Sequence, residues 1–84
     1  MIDFEKFFLG EVGLIVKSIE EASEILEACD DGCIAIDSNP EDYELFPYWY
    51  VAYGTLNLTR DYSDAMEHVE HVYTYQTYAF DNQI

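Results

Sequence analysis

The sequence predicts an α+β domain: a small antiparallel or mixed sheet of about four strands packed by one amphipathic helix. Three observations point there. Residues 19–29 place apolar side chains at helical spacing, behind a capping serine. Several short runs rich in Val, Ile, Leu, Tyr and Trp are bounded by Gly, Pro and Asn, as strands are. With 84 residues, half of them hydrophobic, the chain is sized for one domain over residues 1–84. A domain of this size buries only roughly 60% of its unfolded surface, so its stability margin is thin.

In chain order, residues 4–10 form an apolar lead-in that ends at Gly10, and residues 12–17 (Val-Gly-Leu-Ile-Val-Lys) read as a buried strand. Ser18 and Glu21 have the spacing of a capping box, in which Glu21 reaches back to the Ser18 amide. The helix they open runs to about Asp31, with Gly32 as its left-handed stop. Its buried face is Ile19, Ala22, Ile25, Leu26 and Cys29. Residues 33–37 (Cys-Ile-Ala-Ile-Asp) predict a second buried strand, and Asn39-Pro40 marks a turn. Residues 48–53 are strand formers, with Gly54 as a bulge before the run continues through 55–60. A helical turn near 64–68 and a strand over 72–80 complete the expectation.

Charge is the outstanding compositional feature. Eighteen Asp and Glu face only Lys6, Lys17 and Arg60, for a net charge of −15. High net charge often accompanies disorder, but eight Tyr, five Phe and one Trp supply a core. Self-repulsion of this size destabilises a compact state, so the field either serves binding or reflects a high-salt setting. On the helix, Glu20, Glu24, Glu27 and Asp31 fall three or four residues apart, forming one acidic stripe with no Lys or Arg beside it. Asp30 and Asp31 sit at the negative end of the helix dipole, a local cost with no folding benefit. Asp37, Glu41, Asp42 and Glu44 form a second acidic cluster, around Pro40. Together with Tyr48 and Tyr50 as aromatic anchors, these residues are the expected partner-binding set.

Other chemistries fit less well. A calcium loop could begin at Asp37-x-Asn39-x-Glu41, but Asp42 stands where glycine is required and Tyr48 where the bidentate acid belongs. Cys29, Cys33, His68 and His71 nominally supply four zinc ligands, but at spacings near the edge of known patterns, and Cys29 falls on the apolar helix face. No metal or other cofactor is therefore expected. No phosphate loop or nucleophile elbow occurs, which argues against an enzyme. The negative charge disfavours direct nucleic-acid binding. No apolar run is long enough to cross a membrane. Met1-Ile2-Asp3-Phe4-Glu5-Lys6 carries acids where a signal peptide needs positive charge, which predicts a cytoplasmic protein.

The acids Glu20, Glu24, Glu27, Asp30 and Asp31 and the dense tyrosine content give the chain a character that resembles small phage-encoded inhibitors of bacterial defence, namely anti-CRISPR proteins and DNA-mimic inhibitors of restriction enzymes and DNA glycosylases. The likeness extends over the whole chain and involves no aligned motif. The glycosylase inhibitor of similar size uses a Glu-Ser-Ile element. Here only Lys17-Ser18-Ile19-Glu20 occurs, so that target is not carried over. The resemblance implies a protein of the bacterial host cytoplasm that occupies the nucleic-acid channel of a basic partner. That partner would be a CRISPR nuclease first, and a restriction or repair enzyme second. Two other functions remain open: an immunity or antitoxin protein against a basic nuclease toxin, and an acidic metal-binding adaptor module.

Overall fold

A computed structural model describes all 84 residues. A four-stranded mixed sheet is built from β1 (Val12–Ile15), β2 (Tyr48–Ala52), β3 (Thr55–Thr59) and β4 (His71–Thr74), in the order β3-β2-β1-β4. β1 runs antiparallel to β2 and parallel to β4, and β2 and β3 form an antiparallel hairpin. The register aligns Leu58, Trp49, Leu14 and Tyr73 in one row across the sheet. β1 and β2 are central, which explains why both are nearly continuous apolar runs.

The expected α+β class is the one observed, but four helices rather than one pack on the sheet. α1 (Glu5–Phe8), α2 (Ile19–Asp31) and α4 (Tyr75–Asp81) contribute to the larger core cluster, which includes Phe7, Leu14, Ile25, Trp49 and Tyr78. α3 (Tyr62–Met66) covers part of the other face, where Ala65 and Val69 meet Tyr50. No helix is long and apolar enough to cross a membrane.

α2 forms where its cap and periodicity place it. Ser18 Oγ accepts from the Glu21 amide at 3.1 Å, and Ala22, Ile25, Leu26 and Cys29 are buried, while Ile19 stays 37% exposed. The return bond differs by one residue from the expectation, since Glu21 Oε1 accepts from the Lys17 amide at 3.0 Å, not from Ser18. The C-terminus also shifts by one. Gly32 has a right-handed φ of −88°, and Cys33 takes the left-handed position at φ 61°. The Ile34 amide bonds to Cys29 O and the Cys33 amide to Asp30 O, a Schellman arrangement with Ile34 folded onto the core. Gly32 instead lies close under the Phe8 ring, where a Cβ would come within 2.7 Å and oblige the ring to shift.

Three other expectations are corrected. The lead-in at 4–10 contains the short helix α1, opened by Asp3 Oδ1 accepting from the Glu5 amide at 2.9 Å. Residues 33–37 do not form a strand. Cys33 ends the helix in a left-handed turn, and only Ala35 makes an isolated bridge, to Thr55. The run 72–80 pairs only as far as Thr74, whose hydroxyl accepts from the Thr77 amide and opens α4. Tyr75, Tyr78 and Ala79 then turn one helical face to the core.

Gly54 is a turn residue and not a bulge. Tyr53 (φ 55°) and Gly54 (φ 71°) form a two-residue hairpin loop closed by the Ala52–Thr55 pair. Two consecutive left-handed residues define a type I′ turn, which favours Asn-Gly. Tyr53 is fully exposed and gains no packing to offset a left-handed conformation that costs an ordinary side chain roughly 1–2 kcal/mol. Gly10 (φ 79°) differs, since a Cβ there would also lie 2.8 Å from the Val51 carbonyl oxygen.

Two substitutions measured by urea denaturation test this backbone account. Tyr53→Asn is expected to stabilise the domain by about 0.5–1 kcal/mol, because asparagine tolerates the left-handed region. Gly10→Ala is expected to destabilise it by at least about 2 kcal/mol, through strain and overpacking together. A neutral Gly10→Ala would contradict the close approach of Gly10 to β2.

Candidate functional surface

No charged or polar side chain is buried in the core, so all eighteen carboxylates lie at or near the surface. On α2, Glu20, Glu24, Glu27, Asp30 and Asp31 are exposed. A helix rises about 1.5 Å per residue, so the row Glu20, Glu24, Glu27, Asp31 presents a carboxylate every ~4.5–6 Å along its axis. Pro40–Glu44 is a 3₁₀ turn packed against α2, so the second predicted cluster neighbours the helix that carries the first. Asp37, Glu41 and Glu44 are exposed there, while Asp42 is half-buried and accepts from the Asn39 amide at 2.9 Å. Asp42 therefore has a structural task besides any contact it makes.

Glu24 also differs from its neighbours in the stripe, because it accepts a hydrogen bond from the Tyr75 hydroxyl and so ties α2 to α4. Burial first, and then the Glu24 carboxylate, push the Tyr75 phenol upward in pKa.

The two aromatics of the predicted set lie on the other face of the sheet. Pleating sends Trp49 and Val51 into the larger core cluster and Tyr48 and Tyr50 toward the α3 face. Tyr50 is buried and stacks on His68 at 4.8 Å, so it offers no surface anchor. Tyr48 is half-buried, edge-on to Tyr62. Neither belongs to the layer that carries the acidic stripe. The exposed aromatics are instead Tyr53, Tyr62, Tyr73 and Phe80. Of these, Tyr53 could have been suspected from its place before Gly54 in a hairpin.

The nominal zinc set is dispersed. Cys29 is buried in the larger cluster, Cys33 is exposed at the helix end, and His68 lies against Tyr50 on the opposite sheet face. No group of three or more His, Cys, Asp or Glu side chains is placed to hold a metal ion. Burial pushes the Cys29 thiol from 9.0 up to about 12. What the acidic layer can do chemically is accept charge-assisted hydrogen bonds from lysine and arginine.

The buried phenols and thiol set an alkaline limit. Burial raises Tyr78 from 10.0 to about 12, and Tyr50 and Tyr75 also move up. These groups ionise more readily unfolded than folded. Their contribution is complete below the unfolded values of 9.0 for Cys29 and 10.0 for the tyrosines, and is lost as pH climbs toward about 12. Urea midpoints and tyrosinate absorbance followed together are expected to show cooperative unfolding that releases Tyr75 and Tyr78 in one step above pH 10. Smooth ionisation of all eight tyrosines in a folded protein would contradict their burial.

Compared with known protein families, curated proteins and solved structures, the chain matches none.

Proposed function

We propose that this protein is an inhibitor that occupies the basic nucleic-acid-binding surface of a defence nuclease, a CRISPR effector first and a restriction or repair enzyme second. The observation that carries the proposal is the exposed carboxylate row of α2, which has no lysine or arginine on the helix and lies beside the acidic 3₁₀ turn. B-DNA presents one phosphate charge per strand every ~3.4 Å along its axis. A carboxylate row of similar scale offers acceptors to the same arginines and lysines.

The proposed inhibition is competitive. The negative field draws the protein to a cationic groove, with association fastest at low salt. Carboxylates of α2 and the 3₁₀ turn then engage cations that otherwise hold phosphates. Tyr53, fully exposed and held in a strained backbone conformation, is the best-presented aromatic for short-range grip.

Charge reversal tests the proposal, and the structure guides the choice of residues. Glu24 is spared because it bonds Tyr75. The triple variant Glu20→Lys, Glu27→Lys, Asp31→Lys is expected to keep its circular dichroism spectrum and lose roughly 100-fold or more in affinity, about 2.7 kcal/mol. The partner is obtained by affinity capture from bacterial lysate followed by a duplex-DNA wash. Recovery of a nuclease that DNA displaces, and that the triple variant fails to retain, supports the proposal. A partner indifferent to both DNA and charge reversal would refute it.

A further inference from the structure

Between α2 and the N-terminal segment lies an open groove of about 750 Å³. Its apolar lining includes Phe4, Phe8, Leu9, Ala28 and Ile84. Asp3 and Glu5 contribute acids from the N-terminal side and Glu24, Glu27 and Asp31 from α2, and no Lys, Arg or His lines it. The chain ends pair here, with Asp3 N donating to Asn82 O at 2.7 Å and Ile84 N to Met1 O at 2.9 Å. The Tyr78 hydroxyl donates to Asp3 O at 2.7 Å and fixes that pairing to α4. The groove is thus braced by α4, and Leu9 remains 66% exposed within it.

From this charge complementarity we infer that the groove seats a basic amphipathic helix of the partner. Apolar side chains spaced one turn apart would lie on the floor. Lysines or arginines flanking them would meet Asp3 and Glu5 on one side and Glu24, Glu27 and Asp31 on the other. Helix-in-groove recognition uses apolar anchors at i, i+3, i+4 and i+7, and the acidic flanks select for basic character around them. A purely basic segment would leave the floor wet, and a purely apolar one would leave Glu5, Glu27 and Asp31 unanswered. A second copy of this chain is disfavoured as occupant, since it too carries −15. The inference rests on the acidic layer being a binding face for a cationic protein, but not on that protein being a nuclease.

Two synthetic Leu/Lys peptides of identical composition, binding to the full chain, provide the test by fluorescence anisotropy. One places leucines at i, i+3, i+4 and i+7, and the other scatters them around the helix. The ordered peptide is expected to bind at least tenfold tighter, with amide shift changes centred on Phe8, Leu9 and Ala28. Ala28→Arg is expected to abolish that preference. Leu9→Asn, at an exposed position, is expected to reduce it and serves if Ala28→Arg misfolds. Equal affinity for the two peptides, or a preference untouched in both variants, overturns the groove assignment. So does equally tight binding of a monomeric alkyl-ammonium cation, or self-association of the chain by sedimentation. Nuclease capture that persists in Ala28→Arg while the ordered-peptide preference is lost would separate the groove from the inhibitory role. Loss of DNA-displaceable capture with the peptide preference intact would count against the nuclease reading alone.

Discussion

Mutual repulsion among carboxylates that cannot enter the core is the constraint on which this structure depends. Eighteen acids and three basic side chains share an 84-residue chain, and only 17 residues are buried, none of them charged. The negative charge therefore lies over a body only 30 × 25 × 23 Å across. Apolar burial has to outweigh that repulsion, and aromatic residues supply much of it. Trp49, Tyr75, Tyr78 and Phe7 are among the buried side chains, and Phe4 stacks against Phe8, Tyr75 and Tyr78. The polar atoms these rings bring are satisfied where they enter the core. Trp49 Nε1 donates to Phe46 O, and the Tyr75 and Tyr78 hydroxyls donate to Glu24 and to Asp3 O.

Those two tyrosine bonds join the core to the acidic surface. Tyr75 holds a stripe carboxylate, and Tyr78 holds the N-terminal segment that forms the far wall of the groove. The helix α4 that carries both is thus the support behind the candidate surface. Asp42, which accepts from the amide of the N-cap residue Asn39 at the start of the 3₁₀ turn, plays a similar part for the second cluster. The acids least available to a partner, Glu24 and Asp42, are those committed to holding the others in place.

The parts of the fold legible in the sequence were those with two agreeing signals. α2 had both a capping serine and a buried face at helical spacing, and β2 had strand formers on both faces. Residues 72–80 misled because Tyr73 and Tyr75, and then Tyr78 and Phe80, alternate as in a strand, while the Thr74 cap and the 75, 78, 79 spacing give the helix. Residues 33–37 misled because β-branched composition says nothing about whether a strand finds a partner. Cys33 turns the chain away, and the sheet closes without it. The acidic stripe was legible because exposure follows directly from helical phase. Tyr50 was not, because its burial depends on α3 packing over the second sheet face. The groove was also invisible, being made where α2 meets residues brought from both chain ends.

Salt dependence of the isolated protein's stability probes the uncompensated charge most directly. Raising ionic strength from about 0.01 M to 1 M shortens the screening length from ~30 Å, the span of the whole molecule, to ~3 Å. Thermal or urea midpoints at neutral pH are expected to rise steadily over that range in the wild type, and to rise less in the Glu20→Lys, Glu27→Lys, Asp31→Lys variant. A wild-type midpoint that is flat or falls with sodium chloride would mean the carboxylates are already neutralised within the fold. In that case no surface charge would be left to stand in for phosphate.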